Sequence, residues 1–220
     1  MFDSLVELGP ELGVALLQTV TMLALSFSVS VLFGVPLGVL LLLTDRGQLL
    51  ARPALFSALS VFVNVVRSFP FIILIVALVP LTRLLVGTSI GPLAAAVPLS
   101  FAAIPYCARL VEQSLRDVPR GVVEAAQAMG ATTFQIIVKV LLVEARSGLI
   151  LGATVLAVSL LSYTAVAGVV GGGGIGDLAI RYGYYRFQTD VMVITVAILV
   201  LLVQLMQWAG QHLAAHFDRR

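Results

Sequence analysis

Charge is scarce in this 220-residue chain. Asp, Glu, Lys and Arg together make up 11% of it, too little to solvate the surface of a soluble domain, and the acids are nearly absent from its apolar runs. That shortage speaks against a stand-alone secondary transporter, which needs paired intramembrane carboxylates and internal repeats for ion coupling. There is one cysteine, Cys107, so an intramolecular disulfide is excluded, and its place in an apolar run fits a small packing residue. Strict alternation of apolar and polar residues, the mark of a membrane barrel strand, is missing. The N-terminus, Met1-Phe2-Asp3-Ser4-Leu5-Val6-Glu7, is acidic where a secretory signal is basic, and no small-residue site closes a short apolar core, so no cleavage is expected. Basic residues are not interleaved with aromatics, and the net charge of +2 therefore gives no ground for a nucleic-acid partner.

What the chain has in abundance is apolar length. Hydrophobic residues make up 60% of it, with a mean hydropathy of +1.09. Since a spanning helix needs about 20 apolar residues, the runs at 14–43, 55–86, 92–108, 148–170 and 191–213 predict an all-α integral membrane protein with about five transmembrane helices, a single domain over 1–220. Asn64, Arg67, Ser68 and Pro70 interrupt the second run. Either 69–86 crosses alone, with 55–66 at the interface, or one long helix kinks near Pro70. Five crossings place 44–54, 109–147 and 214–220 on one face. That face holds Arg46, Arg52, Arg109, Arg116, Arg120, Lys139, Arg146, Arg219 and Arg220, against Arg83, Arg181 and Arg186 opposite. The basic face is expected to be cytoplasmic, with the N-terminus outside and the C-terminus inside.

The long polar interruption at 109–147 is patterned. After Asp117-Val118-Pro119, the residues Val122, Val123, Ala126 and Met129 recur at helical spacing until Gly130, where a left-handed terminus is expected. Thr132-Thr133-Phe134-Gln135 then reads as a capping box opening a second helix, with Phe134, Ile137, Val138 and Leu141 on one side. On physical grounds this is either an interfacial hairpin that connects spans or a docking surface for a partner.

Other residues invite a reading. Arg67 is a cation at membrane depth, with Asn64 and Ser68 beside it; it either lines a pathway or snorkels to the interface. Ser159, Ser162 and Tyr163 present hydroxyls in the fourth run, to a path or to neighbouring helices. Gly34 with Gly38, and Gly148 with Gly152, have the G-x-x-x-G spacing of close helix contacts, within one subunit or across a dimer. Gly171, Gly173 and Gly176 match a dinucleotide fingerprint in form only, because the run follows a span rather than a strand. It is expected to be an external fold-back or a flexible linker. His212 and His216 share a helix face but lack a third metal ligand.

Glu124-Ala125-Ala126, three residues, Gly130, nine residues and Val140-Leu141-Leu142-Val143 together resemble the EAA loop of ABC-importer permeases, with Val143 where that pattern has proline. Further stretches carry the likeness along nearly the whole chain. They are Arg67-Ser68-Phe69-Pro70-Phe71-Ile72-Ile73-Leu74, Gly87-Thr88-Ser89-Ile90-Gly91, and 171–190 with Asp177-Leu178-Ala179-Ile180-Arg181-Tyr182-Gly183-Tyr184. Together they resemble methionine ABC-importer permeases of the MetI type. The resemblance implies a type I ABC-importer permease in a bacterial inner membrane, forming the path for D- or L-methionine. It implies a second copy of the chain, an extracytoplasmic methionine-binding protein, and two ATPase subunits that carry ATP and Mg, with no cofactor or catalytic residue on this chain. It assigns coupling to the 117–146 loop through Glu124, Ala125, Ala126 and Gly130. A permease for another amino acid is the nearest alternative, and a non-transporting scaffold is a further one.

Overall fold

A computed structural model of the chain describes residues 2–218, and every element in that range is helical. Met1, Arg219 and Arg220 lie outside the described residues. The first helix, α1 (Phe2–Thr44), is apolar around most of its circumference from Leu12 onward, as a helix surrounded by lipid and protein must be. Its hydroxyls bond back to its own carbonyls: Thr19 to Ala15 at 3.0 Å, Ser26 to Met22 at 2.6 Å and Ser30 to Phe27 at 2.8 Å. They can therefore be buried at no cost in unpaired polar atoms.

The second apolar run resolves into three pieces. Helix α2 (Pro53–Ser68) is followed by α3 (Phe71–Ala77) at a bend of 100°, and α4 (Val79–Val86) continues after Leu78. Pro70 causes the bend. It lacks an N–H and its ring forces the preceding residue out of the helical region, so Phe69 sits at φ −71°, ψ 130°. The crossing is thus broken, not the single helix over 69–86 that one reading of the sequence allows.

Helix α5 (Pro92–Arg116) is the hub, buried along most of its length against α1 and α2. It runs two turns past the apolar run at 92–108, so residues 109–116 are helix and not loop as the sequence suggests. Charge pairs at i,i+3 and i,i+4 carry it on: Glu112 accepts from Arg109 at 2.6 Å and from Arg116 at 2.6 Å. Beyond it come α6 (Arg120–Ala128), α7 (Thr133–Gln135), a π-helical turn (Ile136–Leu141) and α8 (Leu142–Glu144). Helix α9 (Arg146–Ala167) crosses back to a wound segment (Gly168–Gly172), α10 (Gly174–Leu178) and a second wide turn (Ala179–Tyr184). The last crossing is α11 (Thr189–Phe217).

Four stretches, Leu8–Thr44, Pro92–Arg116, Arg146–Gly172 and Thr189–Phe217, are each long and apolar enough to cross a membrane, and the broken α2–α3 pair makes a fifth. Contacts sort the connections to two ends. Arg116 reaches Asp45 at 2.7 Å, and Phe217 packs under Arg146, so 45–52, 117–145 and the end of α11 lie together. At the other end, Tyr182 donates to Glu11 at 2.9 Å and the Gly91 amide donates to Gly171.

Both small-residue motifs pack within the chain. A Cβ at Gly38 would sit 2.5 Å from the Ala108 carbonyl oxygen, whereas one at Gly152 would meet Leu110 at 3.4 Å. The glycine cluster folds the chain back on itself as expected, but as a packed segment rather than an exposed loop or a flexible linker. Gly172, Gly174 and Gly176 are buried, and the amides of Gly174 and Ile175 donate to the Gln18 side chain (2.8 Å) and the Thr19 hydroxyl (2.9 Å) of α1. Gly176 lies directly on the Ala165 backbone, a contact that no side chain permits.

Gly38→Ala should destabilise the fold by about 1–3 kcal/mol through overpacking against α5, while Gly152→Ala should stay within about 0.5 kcal/mol. Thermal unfolding in detergent compares the two; equal midpoints would contradict the close α1–α5 contact.

Candidate functional site

Two places gather polar and aromatic groups. The first is the α6 loop at the end where most of the cations lie. Pro119 precedes α6, whose inner face sets Val123 and the buried Ala126 against the π-helical turn. Glu124, Ala125 and Gln127 point outward, so Ala126 belongs to the core while Glu124 and Ala125 remain accessible. Gly130 ends the helix at φ 79°. Its amide donates to Gln127 at 2.9 Å and the Ala131 amide to Ala126 at 3.1 Å, the paired bonds of a Schellman terminus. The capping box is formed: Thr132 N–H donates to Gln135 Oε1 (2.9 Å) and Gln135 N–H to Thr132 Oγ1 (3.3 Å).

The face predicted for the second helix is shifted. Ile136 and Leu141 are buried, whereas Phe134 and Val138 are exposed, because the π turn widens the helix and moves the register. The loop therefore presents exposed apolar groups, Met129 at 81% and Phe134 at 73%, and the exposed Glu124, which forms no ion pair among the described residues. Between α6 and residues 47–49 lies a cavity of about 550 Å³ reached by Gln48, Arg116, Arg120, Glu124 and Gln127. A one-residue break at Ala145 still separates α8 from α9, although Val143 stands in place of proline.

Above this loop Glu112, 4% exposed, holds both flanking arginines. Arg109 continues to Asn64 Oδ1 (3.0 Å) and the Ser60 hydroxyl on α2, and Arg116 continues to Asp45. Burial alone would raise the Asp45 carboxyl; the Arg116 guanidinium and the Arg46 amide outweigh it and hold it below its ordinary value. The i,i+3 and i,i+4 spacing of Arg109, Glu112 and Arg116 was the available signal for this cluster, but its partners on α1 and α2 are distant in sequence.

The second place is a cavity of about 250 Å³ at the α2–α3 break. Arg67, Ser159 and Tyr163 line it, joined by Tyr106 and Phe71. The Arg67 guanidinium stands 5.4 Å over the Tyr106 ring, and Phe71 stacks on Tyr163 with centroids 4.7 Å apart. Three of the predicted pathway residues fall elsewhere. Asn64 accepts from Arg109, Ser68 donates to the Asn64 carbonyl (2.8 Å), and Ser162 donates to the Val158 carbonyl (3.3 Å) on an exposed face. Tyr106, a polar aromatic inside the third apolar run, is the residue that sequence reasoning passed over. His212 sits 2.9 Å from the Trp208 carbonyl and against its ring, and His216 packs on Phe217.

The chain is similar to known proteins along most of its length. Residues 31–220 match the family model described as binding-protein-dependent transport system inner membrane component. The Vibrio cholerae protein called probable D-methionine transport system permease protein MetI is 50% identical over 203 residues, 92% of this chain and 90% of that one. The methionine import system permease protein MetP of Bacillus subtilis is 43% identical over 181 residues, 82% of each. Among solved structures, the MetNI methionine ABC transporter in inward facing conformations superimposes with a TM-score of 0.93 at 44% identity, covering 94% of this chain and 96% of that one.

Removing the carboxylate at the centre of the arginine cluster should be costly. Glu112→Ala is expected to destabilise by about 3 kcal/mol, the low end for a broken buried pair because Arg116 stays partly solvated. A thermal midpoint in detergent matching that of the parent would contradict the cluster's structural role.

Proposed function

Because this chain belongs to the family of binding-protein-dependent transport system inner membrane components, we propose that it forms the methionine path of an ATP-driven importer. In this reading two copies of the chain make the path and two separate ATPase subunits bind ATP and Mg. An extracytoplasmic methionine-binding protein delivers substrate in either hand. The observation that carries it is the α6 loop, a helix held outside the spans with Glu124 and Ala125 exposed and Met129 and Phe134 uncovered. Exposed apolar residues on the same loop as an exposed carboxylate fit a protein partner with an apolar groove and a cation.

The excess of cations at the α6 end orients that end, and the C-terminus, toward the cytoplasm, where the ATPases are. Closure of the ATPase pair on ATP would displace α6. Val123 and Ala126 pass that displacement to the π-helical turn, and the rigid α5 carries it to the cavity at the helix break. The chain contributes no bond-making step. Its work is to bias which side of the path is open. Arg67, Ser159 and Tyr163 are the pathway groups at the break, with Asn64 and Ser68 supporting α2 beside it.

Reconstitution with the ATPase and binding protein should give methionine uptake that requires ATP; uptake without ATP, or of another amino acid in preference, would overturn the assignment. Cysteines at Ala125 and Ala128 should cross-link to the ATPase from the cytoplasmic side, and reaction from the outside alone would reverse the topology. Gly130→Val strains a left-handed position by roughly 1–2 kcal/mol. ATP hydrolysis should then persist while uptake falls at least tenfold, and normal uptake at normal abundance would show that the Schellman geometry is dispensable.

A further inference from the structure

Helix α2 begins at the basic end with Pro53, and Arg67 lies fourteen residues along it, so at 1.5 Å per residue it stands about 21 Å along the helix from that end. Against a hydrocarbon core about 30 Å thick, that is well beyond the reach of the starting interface. A cation at such depth is expensive unless it meets water or an anion. Arg109 and Arg116 share the Glu112 carboxylate, but among the described residues Arg67 has no acidic partner. Its guanidinium stands over the Tyr106 ring, which holds it beside the cavity rather than letting it snorkel away.

We propose that Arg67 is the carboxylate-recognition residue of this cavity, and that the Phe71–Tyr163 stack is the floor for an unbranched apolar side chain. The inference rests on the reading of the chain as an amino-acid permease and adds to it the chemistry of the contact. A guanidinium presents a planar fork that matches a carboxylate, and the substrate anion supplies the counter-charge that the fold omits. At about 250 Å³ the cavity suits a small ligand. Among the described residues no Asp or Glu lines it, so a cationic side chain would face Arg67 without compensation, whereas a thioether meets the edges of two stacked aromatic rings. The Ser159 hydroxyl, which donates to the Val155 carbonyl at 2.9 Å, keeps acceptor capacity for the substrate ammonium. The cavity therefore selects a zwitterionic or anionic monocarboxylate with an apolar tail, and discriminates against the same molecule without its carboxylate.

The test uses the permease–ATPase complex in phosphatidylcholine nanodiscs without the binding protein, read by saturation-transfer NMR, with empty nanodiscs subtracted. Methionine and N-acetylmethionine should give S-methyl signals at least fivefold above that of methioninol, which lacks the carboxylate. Arg67→Leu should lower the methionine signal to the methioninol level, and Arg67→Lys should preserve part of the difference at an unchanged thermal midpoint and intact ATPase assembly. Equal signals for methionine and methioninol, an unaltered signal in Arg67→Leu, or no methionine signal from the parent would each overturn the assignment. ATP-dependent uptake by the parent separates the two conclusions. Uptake with a failed NMR test removes the carboxylate site alone, and absent uptake removes the permease reading itself.

Discussion

Hydrocarbon offers no partner to a backbone amide or carbonyl, and the structure is arranged around that fact. Besides the turn at Leu78, the chain leaves regular helix at the α2–α3 break and in the glycine cluster, and both of these are covered from within. At the α2–α3 break the residue without an N–H is Pro70, while the Phe69 amide donates to Val66 and the Ser68 hydroxyl to the Asn64 carbonyl. In the glycine cluster, the amides freed by the turn are taken up by Gln18 and Thr19 of α1. Irregular backbone in these two places is thus confined to positions where α1 closes over it or where it borders a cavity.

The two candidate places are joined by one helix. Tyr106, Arg109, Glu112 and Arg116 follow one another along α5, the first at the cavity and the last at the α6 end. Arg109 ties this line to α2 just below the break, and Arg116 ties it to the end of α1. A displacement at the α6 end therefore acts on the broken crossing through side chains that are already in contact.

Legibility from sequence followed the range of the interactions. The end of α6 at Gly130 and the capping box at Thr132 are set by neighbours within a few residues, and both were readable. The five apolar runs were equally plain. The register beyond Gln135 was legible only in part, because a π turn leaves no periodic mark: Leu141 of the expected face is inside, but Ile136 is buried where Phe134 and Val138 are exposed. Ala126 lies inward as its helical spacing with Val123 indicates, whereas Val122 and Met129 of the same series are exposed. Arg67, Ser159 and Tyr163 were legible as unusual residues in apolar surroundings, but that they meet, with Tyr106 and Phe71 between them, depends on the 100° bend. The glycine cluster was misread as an exposed loop because glycine permits both exposure and close backbone contact, and only α1 decides which.

The broken crossing also has a consequence for how the protein is made. Helix α2 has 16 residues and carries Asn64 and Arg67, and α3 has 7. Neither reaches the length of about 20 apolar residues that commits a segment to the bilayer unaided. Helix α2 packs on α1 and α5, and α3 on α5 and α9, so part of their cover is synthesised after them. The second segment to leave the ribosome therefore meets α1 at once but gains its full cover only when α5 and α9 follow, which makes the crossing nearest the proposed substrate contact dependent on helices that come after it.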